Sequence, residues 1–261
     1  MKRFGLVALF AMTAVVALTI HQVGQRWPEP NQSLAPGPAN GPNPAPREPI
    51  QYTVLVDVSA SRSAQMIAEG ETYIDSLVSN MNSGDRLLIW QMYEEGVNDP
   101  ESRLDAPVNK SDEITPLEEP EALSAARKRL RSNVDLFFEH TLQKRVVQTD
   151  ILTTLSIASE QISSGKRNLL VLLSDMLQSD TQFEFEHLSR MPPTGWIDAQ
   201  KQAGLIRPLD HVCVLVVGAD PSTKEGVVVR DFWQRYFEAS NATLSDTNYR
   251  TTPPTDLVAC Q

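Results

Sequence analysis

Seven short oxygen-bearing side chains stand at positions where they could hold a hard cation. They fall into three groups: Asp57, Ser59 and Ser61; Thr149 and Asp150; and Ser174 and Asp175. The first group follows an apolar run with alternate spacing, so both hydroxyls can point the same way as the chain turns. Carboxylate and hydroxyl oxygens are the ligands that Mg²⁺ prefers, and two carboxylates partly neutralise such an ion. The pattern therefore predicts a divalent cation site that can accept one further anionic oxygen.

The segments around these groups alternate between apolar strands and helices. Apolar runs predict strands at 52–56, 87–93, 168–174 and 211–217, with a short edge strand near 103–106 in the acidic segment 94–120. Helical spacing predicts helices over 64–81, 120–142, 150–162 and 231–240. Strands that are apolar throughout and alternate with helices are typical of a parallel sheet covered on both faces. We therefore predict an α/β fold with a doubly wound, mostly parallel central sheet and helices on both faces.

The predicted sheet explains how the three polar groups could meet. Two of them directly follow predicted strands, and the third opens a predicted helix. In doubly wound sheets, functional groups gather at the carboxyl ends of the strands beside the point where the strand order reverses. We therefore expect the three groups to lie together at one edge of the sheet.

In order and placement these residues resemble the metal-ion-dependent adhesion site of the von Willebrand factor A domain. The resemblance rests on Asp57-x-Ser59-x-Ser61, then Thr149-Asp150 opening a helix, then Ser174-Asp175 ending an apolar strand, and it covers about residues 50–245. It implies that Ser59 and Ser61 bind Mg²⁺ or Mn²⁺ directly, and that Thr149 joins them in the ligand-bound state. Asp57 and Asp175 would act largely through water. A carboxylate from a partner protein would complete the coordination sphere.

Two positions depart from the pattern of that family, and simpler roles exist for the same residues. Gln148 and Met176 stand where glycine is usual before the threonine and after the last aspartate. Ser59 and Ser61 could serve only as turn and N-cap residues of the helix that follows. The pair at 149–150 could likewise cap its own helix. A metal-free scaffold of the same fold is therefore one alternative.

A phosphatase is the alternative from another class. A strand that ends in Asp57, with Asp175 and Asp180 after a later strand, resembles haloacid-dehalogenase-type enzymes, in which an aspartate nucleophile acts beside Mg²⁺. Those enzymes usually carry a second acid two residues after the nucleophile, and Ser59 stands there instead. The sequence also lacks a nucleophile elbow, a phosphate-binding glycine loop and a Cys-x-x-Cys pair. We therefore predict a binding module and not an enzyme.

The charge of the chain argues against nucleic acid as a partner. The formal net charge is −10, whereas phosphate binding needs clustered lysine and arginine. One basic cluster, Arg127-Lys128-Arg129 with Arg131, falls on a predicted helix, and we interpret it as a solvated face.

The N-terminal part of the chain is predicted to lie outside the fold. Residues 1–21 begin with Lys2 and Arg3 before an uncharged apolar stretch, which is typical of a signal anchor or a signal peptide. Residues 22–49 are proline-rich and predict a disordered linker. We expect residues 50–245 to form the domain and 246–261 a tail. The expected location is the inner membrane, single-pass, with the domain in the periplasm or outside; secretion after cleavage is the alternative.

The chain has two cysteines, Cys213 and Cys260. Because Cys213 lies inside an apolar run, we interpret it as a small buried hydrophobic residue. A disulfide between the two cysteines is the alternative.

Overall fold

The computed structural model of the chain describes residues 47–59, 62–92, 102–108, 119–143, 148–162 and 166–255. These ranges belong to one compact unit, Pro46–Gln261. The predicted anchor at 1–21, most of the predicted linker and the site residue Ser61 lie outside the described residues. None of the helices within the described ranges is long and apolar enough to cross a membrane.

A six-stranded sheet forms the centre of the described fold. Its strands are β1 (Ile50–Val56), β2 (Arg86–Gln91), β3 (Arg103–Pro107), β4 (Arg167–Leu173), β5 (Val212–Val217) and β6 (Tyr249–Arg250). They lie in the order β3-β2-β1-β4-β5-β6, and only β2 and β3 pair antiparallel. The chain winds outward from β1 on one side and from β4 on the other. The strand order therefore reverses between β1 and β4, at the centre of the sheet.

Helices cover both faces of this sheet, as predicted. They are α1 (Ala64–Asn80), α2 (Glu119–Gln143), α3 (Ile151–Ser159), α4 (Trp196–Gln202) and α5 (Lys224–Ala239). Neighbouring residues of a strand point to opposite faces. Val54 of β1 accordingly packs into a core with α1 and α2, whereas Leu55 packs into a second core with α3 and α5. The fold is therefore α/β and doubly wound.

Short polar side chains start three of the helices. Ser63 caps α1 by accepting a hydrogen bond from the backbone N–H of Met66 at 3.2 Å. Asp150 caps α3 through the N–H of Thr153 at 3.1 Å. Thr223 caps α5 in the same way. The capping role considered for Ser59 is therefore wrong, because Ser63 caps that helix, whereas the capping role for Asp150 is confirmed.

One helix starts earlier than the sequence pattern predicted, and two short elements were not predicted. Helix α5 starts at Lys224 and not at Asp231, because tertiary packing of Val229 and the cap at Thr223 outweigh the poor helix propensity of the Gly-Val-Val-Val segment. Helix α4 has no buried residue and β6 has only two residues, so neither shows the hydrophobic periodicity from which an element can be predicted. The four aromatic residues of α5 are buried core residues.

Candidate functional site

Asp57 lies at the switch point of the sheet, directly after β1. Its backbone N–H donates to the carbonyl of Leu173 at the end of β4, at 3.0 Å, so the ladder continues past the last residue of the strand. The N–H of Ser174 donates in the same way to Val217 at the end of β5, also at 3.0 Å. Three adjacent strand ends are thus held side by side, and the polar residues that follow them are neighbours.

Both oxygens of the Asp57 carboxylate accept hydrogen bonds from residues of the three predicted polar groups. Oδ1 accepts from the N–H of Ser59 at 2.9 Å and from the hydroxyl of Thr149 at 3.2 Å. Oδ2 accepts from the hydroxyl of Ser174 at 2.9 Å. All four residues are buried. The structure therefore brings two residues of the first polar group and one of each of the other two into a single buried cluster.

Asp175 follows Ser174 and is partly exposed, unlike the residues around Asp57. Its Oδ1 accepts from the N–H of Leu177 at 3.0 Å, which folds the chain back after β4. Ser174 belongs to the third polar group of the sequence, but it is not among the residues that the resemblance implies as ion-binding. The structure places its hydroxyl directly on Asp57, so Ser174 belongs to the cluster.

Met176 occupies the position where the resembled family usually has glycine, and its backbone is in the left-handed region with a φ of 66°. That region favours glycine. The side chain of Met176 is fully buried, and its carbonyl accepts from the indole N–H of Trp233 at 2.9 Å. Core packing and this hydrogen bond offset the backbone strain. The loop therefore keeps a glycine-like conformation without glycine.

Gln178 positions the loop that carries Thr149, a role that no pattern in the sequence indicated. Its side chain is fully buried, and its Oε1 accepts from the N–H groups of Ile151 at 2.7 Å and Leu152 at 3.0 Å. Its Nε2 donates to Asp150 at 3.0 Å. The chain after β4 thereby caps α3 and fixes the approach of Thr149 to Asp57. Only the three-dimensional fold reveals this, because a glutamine after a strand has no distinctive pattern.

The donor set at this site fits a hard divalent cation. Asp57, Ser59 and Thr149 offer only oxygen atoms as metal ligands. Asp175 adds a second carboxylate, because it directly follows Ser174, which is hydrogen-bonded to Asp57. Oxygen donors favour Mg²⁺ or Mn²⁺, whereas sulfur and imidazole favour zinc. Within the described ranges, no group of three or more His, Cys, Asp or Glu residues could hold a metal ion. A site built here would depend on hydroxyl ligands in addition to its two carboxylates.

The structure does not favour the phosphatase alternative. A nucleophile must be reachable, yet Asp57 is 1% exposed and both its oxygens are engaged. Asp180 has a local role, because its Oδ1 accepts from the N–H groups of Gln182 and Phe183, both at 2.6 Å. These contacts hold a turn and do not face Asp57.

Three concave regions on the described surface lie away from the cluster. One of about 530 Å³ lies between α4 and α5, and one of about 460 Å³ lies between α1 and residues 253–255. A smaller one of about 240 Å³ lies beside the start of α3. Neither Asp57 nor Asp175 lines any of these three regions. The cluster thus lies outside these three concave regions.

Two members of the basic cluster on α2 take part in helix packing. Arg127 donates from Nε to the carbonyl of Met81 at 2.8 Å, and Arg131 donates to the hydroxyl of Ser79. Both contacts join α2 to the end of α1. These side chains therefore have an intramolecular role.

Cys213 on β5 is disulfide-bonded and only partly buried. The interpretation of Cys213 as a free buried hydrophobic residue is therefore wrong, because the sulfur takes part in a covalent bond. The only other cysteine of the chain is Cys260, which lies outside the described residues.

No protein-family profile and no curated protein matches the chain. Solved structures similar to it include the pilus adhesin SpaC from Lactobacillus rhamnosus GG in an open conformation. That protein is 12% identical, with 80% of this chain and 28% of that chain covered and a TM-score of 0.44. Proximal thread matrix protein 1 from the mussel byssus, with a zinc-occupied MIDAS motif, is 14% identical, with coverage of 74% and 48% and a TM-score of 0.36.

A von Willebrand factor type A structure from Catenulispora acidiphila is also similar, at 10% identity, with coverage of 74% and 43% and a TM-score of 0.28. The chain spans less than half the length of each of these three proteins. At such identities and TM-scores, the likeness carries no argument about metal or partner. The fold of this chain rests on its own strand order and helix placement.

Proposed function

We propose that the chain is an extracytoplasmic protein-binding module that captures an acidic residue of a partner protein through a Mg²⁺ or Mn²⁺ ion. The ion would be held by Asp57, Ser59, Ser61, Thr149 and Asp175. One observation carries the proposal: Asp57 accepts hydrogen bonds from Thr149 and Ser174, so the ends of β1 and β4 and the loop before α3 share one cluster of oxygens. The ion would supply a positive charge to which a carboxylate of the partner can bind.

The position of the cluster supports a protein partner over a small substrate. It lies at the carboxyl ends of β1 and β4, where doubly wound sheets bind their ligands. The three concave regions described above are lined by other residues. A ligand that reaches the site from a protein surface needs only one projecting carboxylate and no enclosing cavity.

Thermal unfolding of the full chain tests metal binding. Mn²⁺ or Mg²⁺ added after a chelator should raise the unfolding temperature, since a ligand at about 100 times its dissociation constant stabilises by about 2.7 kcal/mol. Asp175→Asn should abolish the shift. Asp220→Asn is the matched control, because Asp220 is an exposed aspartate after β5 that accepts from Ser222 outside the cluster. A wild-type shift that survives in Asp175→Asn would disprove the assignment of that ligand.

A carboxylate probe tests the binding mode. If a partner carboxylate completes the coordination sphere, millimolar acetate should tighten the apparent affinity for Mn²⁺, because the coupling between two ligands is reciprocal. Methylammonium chloride at the same ionic strength controls for salt. Equal Mn²⁺ affinity with and without acetate would contradict a metal-bridged carboxylate.

The proposed location is the inner membrane, with residues 1–21 as the anchor and 22–49 as the spacer. The disulfide at Cys213 supports an oxidising compartment, since disulfides persist outside the cytosol. Protease added to spheroplasts should degrade the domain while a cytoplasmic marker stays intact. Full protection of the domain would contradict this location.

A further inference from the structure

Arg62 is a buried arginine in the loop that follows Asp57. It is 3% exposed, and its backbone N–H donates to the carbonyl of Ser59 at 3.1 Å. The N-cap residue Ser63 follows it, so the backbone of Arg62 is fixed between a turn and a helix. Lysine and arginine are rarely buried to this extent unless opposite charges lie nearby.

The Arg62 side chain reaches from the β1 loop to the end of β5. Its Nη1 donates to the carbonyl of Gly218 at 3.4 Å. A Cβ atom at Gly218 would lie 2.3 Å from Nη1 and 2.7 Å from Nη2, and Gly218 has a φ of 104°. Glycine is therefore needed at this position, both for its backbone conformation and because the guanidinium lies against its Cα.

This path takes Arg62 across the end of β4. Because β4 lies between β1 and β5, a side chain that starts after β1 and ends at Gly218 must pass the residues that follow β4. Those residues are Ser174 and Asp175. The guanidinium therefore lies at the carboxyl-terminal edge of the sheet, the edge from which both carboxylates of the candidate site also extend.

Charge compensation is consistent with this placement. Burial lowers the pKa of Arg62, and the negative charges of Asp57 and Asp175 oppose that lowering. A smaller contribution of the same sign comes from Glu69 on α1. The buried guanidinium is thus stabilised by the two acids to which the divalent ion would bind.

We propose that Arg62 is a built-in counter-cation for Asp57 and Asp175 that competes with the divalent ion and sets the metal affinity of the site. This inference rests on the proposed function. One fixed positive charge beside two carboxylates reduces the negative potential that attracts a divalent ion. Arg62 thus acts as a specificity-determining residue: it weakens binding of the ion alone, so that the site holds the ion firmly only when a further carboxylate joins it.

Mn²⁺ titration of the full chain tests the inference. Arg62→Gln should bind Mn²⁺ about tenfold more tightly than wild type, because the competing charge is gone. Arg62→Lys keeps the charge and should stay within about threefold of wild type. Arg207→Gln controls for net charge, since Arg207 is exposed and pairs with Glu160 at 3.3 Å. Equal affinity of Arg62→Gln and wild type would overturn the inference.

Gly218→Ala provides a second variant if Arg62→Gln does not fold. The added methyl group displaces the guanidinium from its place without removing the charge from the chain. Mn²⁺ affinity should again rise by several-fold. Gly195→Ala is its control, because Gly195 also has a positive φ, 85°, and nothing lies within 4 Å of the added Cβ.

A double-mutant cycle in chelator separates this inference from the metal proposal. Asp175→Asn and Arg62→Gln should show non-additive changes in unfolding free energy if the two charges interact. Coupling without Mn²⁺ binding in any variant, Arg62→Gln included, would overturn both the metal-dependent function and the role of Arg62 in setting metal affinity, and would leave only a structural charge pair. Mn²⁺ binding with no coupling and no effect of Arg62→Gln would leave the metal site standing and overturn the role of Arg62.

Discussion

Ser174 donates a 2.9 Å hydrogen bond to Oδ2 of Asp57, and both side chains are buried. The same hydroxyl oxygen accepts from the N–H of Met176 at 2.9 Å. One serine thus connects the end of β4 to the end of β1 and also shapes the turn that follows β4. The site and the central pair of strands share this contact, so stability and function are linked at Ser174.

Ser174→Ala should reduce the free energy of unfolding by about 1–3 kcal/mol. The change leaves a buried carboxylate oxygen and a backbone N–H without their hydrogen-bond partner, and burying such unpaired groups lowers the free energy of unfolding. Urea denaturation of both proteins measures the effect.

Ser222→Ala is the matched control for that experiment. Ser222 also donates to an aspartate, Asp220, at 2.6 Å, but this pair is exposed. Exposed substitutions usually change stability by less than about 0.5 kcal/mol. If both variants lose the same free energy of unfolding, burial adds nothing to the contribution of the hydrogen bond between Ser174 and Asp57.

Gln178→Met should destabilise the protein by roughly 2–4 kcal/mol, because it removes every hydrogen bond of a fully buried side chain. The N–H groups of Ile151 and Leu152 lose their acceptor, and Asp150 loses a donor. Chemical denaturation gives the magnitude, and amide hydrogen exchange should show early opening at the start of α3.

Two further variants test the same contact. Gln182→Met is the control, since Gln182 is exposed in the neighbouring turn. Gln178→Glu keeps an acceptor for the helix but places a carboxyl beside Asp150 and Asp180. It should therefore destabilise more at pH 7 than in mild acid. If Gln178→Met loses no more unfolding free energy than Gln182→Met, the result would contradict the role of Gln178 in positioning the start of α3.

Much of the fold was readable from the sequence because its strands are uniformly apolar. Runs such as those that form β4 and β5 can only be buried on both faces, and that requires helices on each side of a parallel sheet. The short edge strand β3 was also predicted, within a polar segment that contains several prolines. Short elements such as α4 and β6 could not be predicted, because they bury too few side chains to produce a hydrophobic periodicity in the sequence.

The candidate site was readable only in part. Alternate spacing after β1 indicated Asp57 and Ser59, placement at the end of an apolar strand indicated Asp175, and placement at the start of a helix indicated Thr149. The roles of Gln178 and Arg62 depend on contacts between segments far apart in the chain, which spacing cannot encode. Ser61 lies outside the described residues, so its role stays a prediction.

Cys213→Ser should lower the free energy of unfolding by about 2–4 kcal/mol, because the disulfide at Cys213 restricts the unfolded chain. Denaturation with and without a reducing agent provides the test. Reduction should weaken wild type to the level of Cys213→Ser and leave the variant unchanged. If the reducing agent alters both proteins equally, the effect arises elsewhere.

Glu71 on α1 gives a pH-dependent prediction. Burial raises its pKa above 4.5, and the negative charges of Asp135 and Asp75 raise it further. The pKa of Asp75 is raised in the same way, by burial and Asp135, while Arg131 opposes this. An acid with a raised pKa binds its proton more tightly when folded. Its ionised form therefore destabilises the fold above that pKa, and this effect disappears as the pH falls below 4.5.

Glu71→Gln should therefore unfold at a higher temperature than wild type at pH 7, and the difference should shrink as the pH is lowered through the folded pKa of Glu71 towards 4.5. Thermal unfolding across pH 4 to 7 measures the gap between the two proteins. Glu186→Gln, in an exposed loop, changes the net charge by the same amount and controls for the general repulsion of an acidic chain. Because partial burial of Glu71 and the nearby charges of Asp135 and Asp75 cause the effect, the gain for Glu71→Gln should exceed that of Glu186→Gln at pH 7. Equal gains at every pH would show that overall charge, and not the surroundings of Glu71, is responsible.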